Sequence, residues 1–124
     1  MRRIILLITV ALASVATLFV VSVAGAQKQP TASPAQKQST RTVVIKDFRF
    51  SPAKITVKPG TRVTWVNKDK APHTATAKNG TFNSGELRKG QRYSRTFKKA
   101  GKKYAYFCEL HPFMRGSVTV KPRR

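Results

Sequence analysis

The sequence is poor in several chemically useful residues. Of its 124 positions only four are acidic (Asp47, Asp69, Glu86 and Glu109), two are histidine and one is cysteine. Four scattered carboxylates form no recognisable acid–base pair, and no substrate pocket is legible, so an enzyme is not expected. One cysteine, Cys108, excludes an intramolecular disulfide, the usual staple of a small exported domain. Helical periodicity is absent throughout, which excludes a bundle or a helix-built α/β fold. Trp65 is the only tryptophan. A single large ring among short apolar runs is expected to anchor a core and to carry no chemistry.

Positive charge, by contrast, is abundant. Setting aside Arg2 and Arg3, 23 lysines and arginines face the four acids, a formal +19. Such a surface favours acidic protein partners, anionic membrane or nucleic acid. The cations are spread along the whole chain, as a generally basic composition would also spread them. No nucleic-acid motif accompanies them, and nucleic acid is not expected as a partner.

Composition divides the chain into three. Arg2 and Arg3 precede an apolar run, Ile4 to Val23, and Ala24-Gly25-Ala26 is a small-residue cleavage site. Residues 1–26 read as a secretory signal peptide, or as an uncleaved N-terminal anchor, since a 20-residue run that is apolar apart from Thr9, Ser14, Thr17 and Ser22 is also long enough to span a bilayer. Either reading places the rest of the chain outside the cytoplasm, in a periplasm or its equivalent. Residues 27–40, rich in Gln, Pro, Ser, Thr and Ala, read as a disordered linker. Residues 41–124 hold the folded domain, whose core of about 80 residues gains from a stapling metal.

Within that domain short β-branched runs alternate with turn signals. Strands are expected at Thr42–Phe48, Ile55–Val57, Arg62–Val66, a short one starting at His73 and running to Ala77, Gln91–Phe97, Lys103–Cys108 and Ser117–Val120. Lys58-Pro59-Gly60-Thr61 and Asn79-Gly80 are turns. Seven to eight strands at even spacing imply an all-β sandwich or barrel of two packed sheets.

The few soft ligands can all be placed in one site. After the leader the chain has two histidines, one cysteine and one methionine: His73, Cys108, His111 and Met114. Singly, each has a duller explanation: a histidine after Pro72 is usually a surface residue, a methionine core filler, a cysteine a small buried hydrophobe. Cys108, His111 and Met114, however, are spaced three apart in one loop between the last two strands. A compact loop with Pro112 and Gly116 can turn all three toward one point. A structural zinc site wants four strong ligands, and a thioether is a poor one. A thiolate, two imidazoles and a weak thioether suit copper in an electron-transfer site.

The segment Tyr104–Val120, containing Phe107-Cys108-Glu109-Leu110-His111-Pro112-Phe113-Met114, resembles the copper loop of the cupredoxins. The likeness continues through Phe50-Ser51-Pro52, Ile55 to Thr61, Val63 to Asn67, His73-Thr74 and Gly80 to Phe82, covering nearly all of Val43 to Val120. The short Cys-x2-His-x2-Met loop is similar to the amicyanin version of plastocyanin-like proteins. The resemblance implies a Greek-key β-sandwich holding one type 1 (blue) copper ion on His73, Cys108, His111 and Met114. It further implies that Asn67 braces the two ligand loops. Relatives tend to carry proline just before the second histidine; this chain has Glu109-Leu110 there, and Glu109 brings a negative charge close to the site.

Ligand set and resemblance together imply a one-electron carrier, monomeric by default, and the lysine and arginine surplus would steer an acidic redox partner to a transient encounter. His73 is expected to be buried and His111 to form the exposed edge, ringed by Pro72, Leu110, Pro112 and Phe113 as a small apolar docking surface. Two alternatives use the same sequence differently: a copper-binding or copper-delivery protein without a redox circuit, and a basic adhesion or nucleic-acid-binding module whose metal site is incidental.

Overall fold

Alternation of apolar and polar side chains lays down eight strands and, among the described residues, no helix. They are β1 (Thr40–Lys46), β2 (Arg49–Ser51), β3 (Lys54–Val57), β4 (Thr61–Asn67), β5 (Thr76–Ala77), β6 (Arg92–Phe97), β7 (Lys103–Phe107) and β8 (Arg115–Val120). The computed structural model describes residues 13–20, 22, 25 and 37–124. Most of the expected leader (1–26) and linker (27–40) therefore lies outside the described residues. Residues 13–20 carry neither helix nor strand. Among the described residues no helix is long and apolar enough to cross a membrane. At the other end of the expected linker, Thr40 already belongs to β1, and the Ser39 carbonyl accepts the Arg62 amide at 2.8 Å.

The strands form two four-stranded sheets, ordered β2-β1-β4-β6 and β3-β8-β7-β5. β1 runs parallel to β4 and β3 parallel to β8; the remaining neighbours are antiparallel. The sheets pack face to face as a Greek-key β-sandwich, the fold class expected from the sequence. Val43 and Ile45 of β1 and Val63 and Trp65 of β4 meet Tyr104 and Tyr106 of β7 and Val118 and Val120 of β8, all buried. Trp65 lies at the centre, its ring 5.3 Å from Tyr106, 5.4 Å from Phe82 and 6.3 Å from Phe97.

Three loops gather at one end of this sandwich. β1 and β4 are parallel and in register, with Ile45 opposite Asn67, so the turn after β1 and the loop after β4 leave the sheet side by side. The loop after β4 crosses to the other sheet to start β5. β7 delivers its own loop, residues 108–114, before β8 returns.

Sequence periodicity misplaced three boundaries at this end. β1 stops at Lys46, because Asp47 and Phe48 take left-handed backbone conformations (φ 51° and 55°) in a two-residue turn. The strand expected to begin at His73 shrinks to Thr76–Ala77, and His73 makes only an isolated bridge to Leu87. The last strand begins at Arg115, two residues before the expected Ser117. The first two shifts trade ladder pairing for turns and loops that close on the site; the third adds the pairs Phe107–Arg115 and Tyr106–Gly116 to the ladder.

Tyr106 gives the core a pH signature. Burial pushes its phenol up to about 12, with the Trp65 indole opposing part of the rise. A group whose ionisation is raised on folding stabilises the fold below its unfolded value and loses that contribution as pH climbs through its folded one. Stability is therefore expected to fall by roughly 3 kcal/mol between about pH 10 and about pH 12 from this residue alone. Urea unfolding across that range, followed beside tyrosinate absorbance, checks it: Tyr106→Phe flattens the slope.

Candidate metal centre

Two loops supply the ligand atoms. Cys108 directly follows Phe107, the last residue of β7, and is fully buried. The loop then folds back on itself: the His111 amide donates to the Cys108 carbonyl (3.3 Å), the Met114 amide to the His111 carbonyl (2.9 Å) and the Cys108 amide to the Met114 carbonyl (3.1 Å). Spacing of three thus gives two successive turns and places Cys108 and Met114 across from each other. Met114 is buried, at 2% exposure, and His111 is partly exposed. His73 comes from the β4–β5 loop, pinned by reciprocal backbone bonds with Leu87 (3.1 and 2.7 Å), and is completely buried.

His73, Cys108 and His111 are brought together. The two Nδ1 atoms lie 3.1 Å apart, and Cys108 Sγ is 3.8 Å from the first and 3.7 Å from the second. A point equidistant from these three atoms lies about 2.1 Å from each, close to the usual first-row metal–nitrogen and metal–sulfur distances of about 2.0–2.3 Å. Among the described residues no carboxylate joins this cluster. The nearest acid, Asp69, instead accepts a hydrogen bond from His73 Nε2 at 2.8 Å. That bond places the ring proton on Nε2, so Nδ1 presents a lone pair to its neighbours.

Asp69 is the functional residue that sequence reading missed. Its carboxylate accepts the Asp47 amide (2.8 Å), the Phe48 amide (3.0 Å) and His73 Nε2 (2.8 Å). It thereby ties the β1–β2 turn to a ligand histidine. The turn needs such support: a bulky residue with φ above zero costs roughly 1–2 kcal/mol. Burial raises the Asp69 carboxyl, but the Phe48 and Asp47 amides and the His73 ring outweigh it and hold the group below its ordinary value. A carboxyl lowered on folding stabilises the native state above its unfolded value, and that contribution disappears as pH falls through the lower folded one. Asp69→Asn is thus expected to destabilise the metal-free protein by about 1–3 kcal/mol at neutral pH. It is also expected to flatten the loss of stability below about pH 4, which urea titrations at several pH values measure. The available signal was positional: an acid four residues before a histidine.

The asparagine expectation needs correction. Asn67 is buried, but both amide protons are used within its own neighbourhood, on the Ala71 carbonyl (2.8 Å) and the Leu87 carbonyl (2.7 Å), while its oxygen accepts the Asp69 amide (2.8 Å). It shapes the loop that carries His73 and has no proton left for the 108–114 loop. Thr74 joins the two. Its amide points at Cys108 Sγ (3.3 Å) and its hydroxyl accepts the Glu109 amide (2.8 Å). The Glu109 side chain is engaged by Asn83 at 3.0 Å.

Leu110 and Pro112, the chain neighbours of the partly exposed His111, and Phe113, whose ring lies 6.1 Å from it, are exposed, Phe113 the most at 69%; Pro72, next to His73, is exposed too. Phe48 adds a fifth apolar residue that sequence reading assigned to a strand. Its ring meets both imidazoles edge-on, at 5.2 Å from His73 and 4.9 Å from His111.

A β-sandwich whose loops bring two imidazoles and a thiol together, with a methionine buried in the same 108–114 loop, defines a mononuclear site for a soft, redox-active metal, and copper fits the donor set. The chain belongs to the cupredoxin-like family, whose domain model matches residues 9–120. It is 39% identical over 84 residues to amicyanin of Paracoccus versutus, covering 64% of this chain and 63% of that protein. It is 35% identical over 85 residues to plastocyanin of Scenedesmus fuscus, covering 58% of this chain and 86% of that one. The chain thus spans less than two thirds of the length of the Paracoccus relative. Among solved structures, a reduced tryptophan-to-tyrosine variant of amicyanin superposes with a TM-score of 0.63 at 32% identity, over 70% of this chain and 87% of that one.

Proposed function

We propose that this protein is a one-electron carrier working outside the cytoplasm, in which His73, Cys108, His111 and Met114 would hold one type 1 copper ion. The convergence of Nδ1, Nδ1 and Sγ at 3.1, 3.7 and 3.8 Å carries the reading. Copper, when bound, supplies a Cu(II)/Cu(I) couple. The protein's own residues do the rest. Asp69 fixes the tautomer and orientation of His73, and the Thr74 amide directed at Sγ steadies the sulfur charge. The 108–114 loop is closed by its own backbone bonds, so little rearranges when charge changes. His111 is the partly exposed ligand edge, and its apolar rim suits a brief, small contact.

The preorganised site favours a carrier over a delivery protein, which must release its metal. The surplus of lysine and arginine fits an acidic redox partner met by electrostatic steering, and the leader-like N-terminus fits export. Copper loading, a visible spectrum and electron exchange with an acidic cytochrome at rising salt test the proposal. An intense blue band and a rate that falls with salt are expected. A colourless copper-loaded protein, or metal lost to the partner without electron exchange, overturns the carrier reading.

A further inference from the structure

All four carboxylate side chains lie at the metal end of the sandwich. Asp47 is in the β1–β2 turn, Asp69 in the loop after β4, Glu86 beside Leu87, whose backbone bridges to His73, and Glu109 in the 108–114 loop. The opposite end is built from the chain entering β1, the β3–β4 turn, the β6–β7 turn and the chain leaving β8. Strand register brings these four segments together: Thr40 stands opposite Arg62, Val57 opposite Val120 and Thr61 opposite Phe97. Hydrogen bonds then lock them. The Gly60 amide donates to the Phe97 carbonyl (2.7 Å), the Lys121 amide to the Val57 carbonyl (2.8 Å), the Val120 amide to the Lys102 carbonyl (2.7 Å) and the Gln38 side-chain amide to Thr96 Oγ1 (3.2 Å). Lys37, Lys58, Lys98, Lys99, Lys102 and Lys121 sit on these segments and are exposed. Among the described residues the one ion pair joins Asp69 to His73, at the other end.

No apolar surface accompanies this charge. Within residues 37–124 the exposed large apolar side chains are Phe48, Leu110 and Phe113, all at the metal end. A specific protein interface buries an apolar core inside a polar rim, whereas a layer of anionic headgroups needs only charge. The chain that precedes Lys37 joins the domain at this same end, and it carries the apolar run Ile4 to Val23. A basic patch next to an apolar segment is the two-part pattern of a membrane-surface protein. We infer that the end of the sandwich remote from the metal ligands is a cationic platform that lies on an anionic lipid surface. The chemistry recognised is the phosphodiester headgroup of an acidic phospholipid, met by lysines on four interlocked segments. The inference goes beyond the carrier reading and needs no metal. What it adds to that reading is orientation: the 108–114 loop faces away from the lipid, open to a soluble partner.

The protein as exported, with its leader in whatever form processing leaves it, is bound to phosphatidylcholine vesicles with and without phosphatidylglycerol. The readout is the ratio of the two affinities, which cancels the leader's own contribution. A ratio well above one that falls as salt rises is expected. Lys58→Gln, Lys98→Gln, Lys99→Gln and Lys121→Gln together are expected to lower it at least about a hundredfold, at roughly fivefold per cation near the surface. Lys46→Gln, Lys68→Gln, Lys70→Gln and Lys89→Gln remove the same charge from the metal end and are expected to change it less than about threefold. Hydrogen exchange of the unaltered protein on the vesicles is expected to slow at residues 98–102 and to stay unchanged at 108–114. A ratio near one, equal losses in the two variants, or protection of 108–114 in place of 98–102 each overturns the inference. Displacement by soluble polyglutamate at a lower charge concentration than the vesicles carry gives this end to an acidic polymer and overturns the lipid assignment. None of these failures touches the carrier reading, which the blue band and electron exchange test separately.

Discussion

Cys108→Ser is expected to abolish the intense visible band of the copper-loaded protein and most of the stabilisation that copper gives. The chain has one cysteine, so no other sulfur can supply a thiolate. The sulfur is wholly buried and lies 3.7–3.8 Å from both imidazole Nδ1 atoms. Serine is close to isosteric and its oxygen can still accept the Thr74 amide, so the metal-free fold is expected to change by less than about 1 kcal/mol. A hydroxyl does not ionise readily and is a hard donor, poorly matched to Cu(I). The loss is therefore confined to the loaded state. A metal present at about a thousandfold its dissociation constant adds about 4 kcal/mol to folding; most of that is expected to go. Thermal unfolding with and without copper, beside the absorption spectrum, measures both effects. A serine variant that keeps the blue band would remove the thiolate from the site.

Much of the fold was legible in the chain itself. Period-two alternation in β7, and turn signals between short β-branched runs, gave the sandwich, because a half-buried strand must write its face into its sequence. The 108–114 loop was legible because three scarce ligands sit in one short stretch, and scarcity makes coincidence informative. His73 was placed by inventory and resemblance, since a distant loop leaves no local trace of where it will land. The misses share a cause. Asp69 acts through hydrogen bonds to residues four positions on and more than twenty positions back, and Phe48 through a backbone conformation that alternation disguised as strand. Thr74 took the bridging role expected of Asn67 because amide protons are finite, and the Ala71 and Leu87 carbonyls claim both. Hydrogen-bond partners chosen in three dimensions are the part of a site that one sequence says least about.

Gly116→Ala is expected to be among the most damaging small substitutions in the domain, although it adds one methyl group at a partly exposed position. A Cβ there would lie 2.8 Å from the Ala53 carbonyl oxygen and closer still to the ring and hydroxyl of Tyr106. Neither neighbour can yield easily. Tyr106 is fully buried between Phe50 and Trp65, and the Ala53 carbonyl already accepts the Ser117 amide at 2.8 Å. The strand must move instead, at a cost of about 1–3 kcal/mol for overpacking. β8 is short, and Gly116 stands two residues after Met114 and pairs with Tyr106, itself two residues before Cys108. A displacement there reaches both ends of the ligand loop. Urea unfolding of the metal-free protein is expected to show the loss, and a shifted visible band to show its transmission to the site. Shortening the neighbour isolates the cause: in a Tyr106→Leu background the same Gly116→Ala change is expected to cost at least about 1 kcal/mol less, a coupling typical of residues in contact. Equal costs in the two backgrounds would mean that the clash with the tyrosine is not what the glycine avoids.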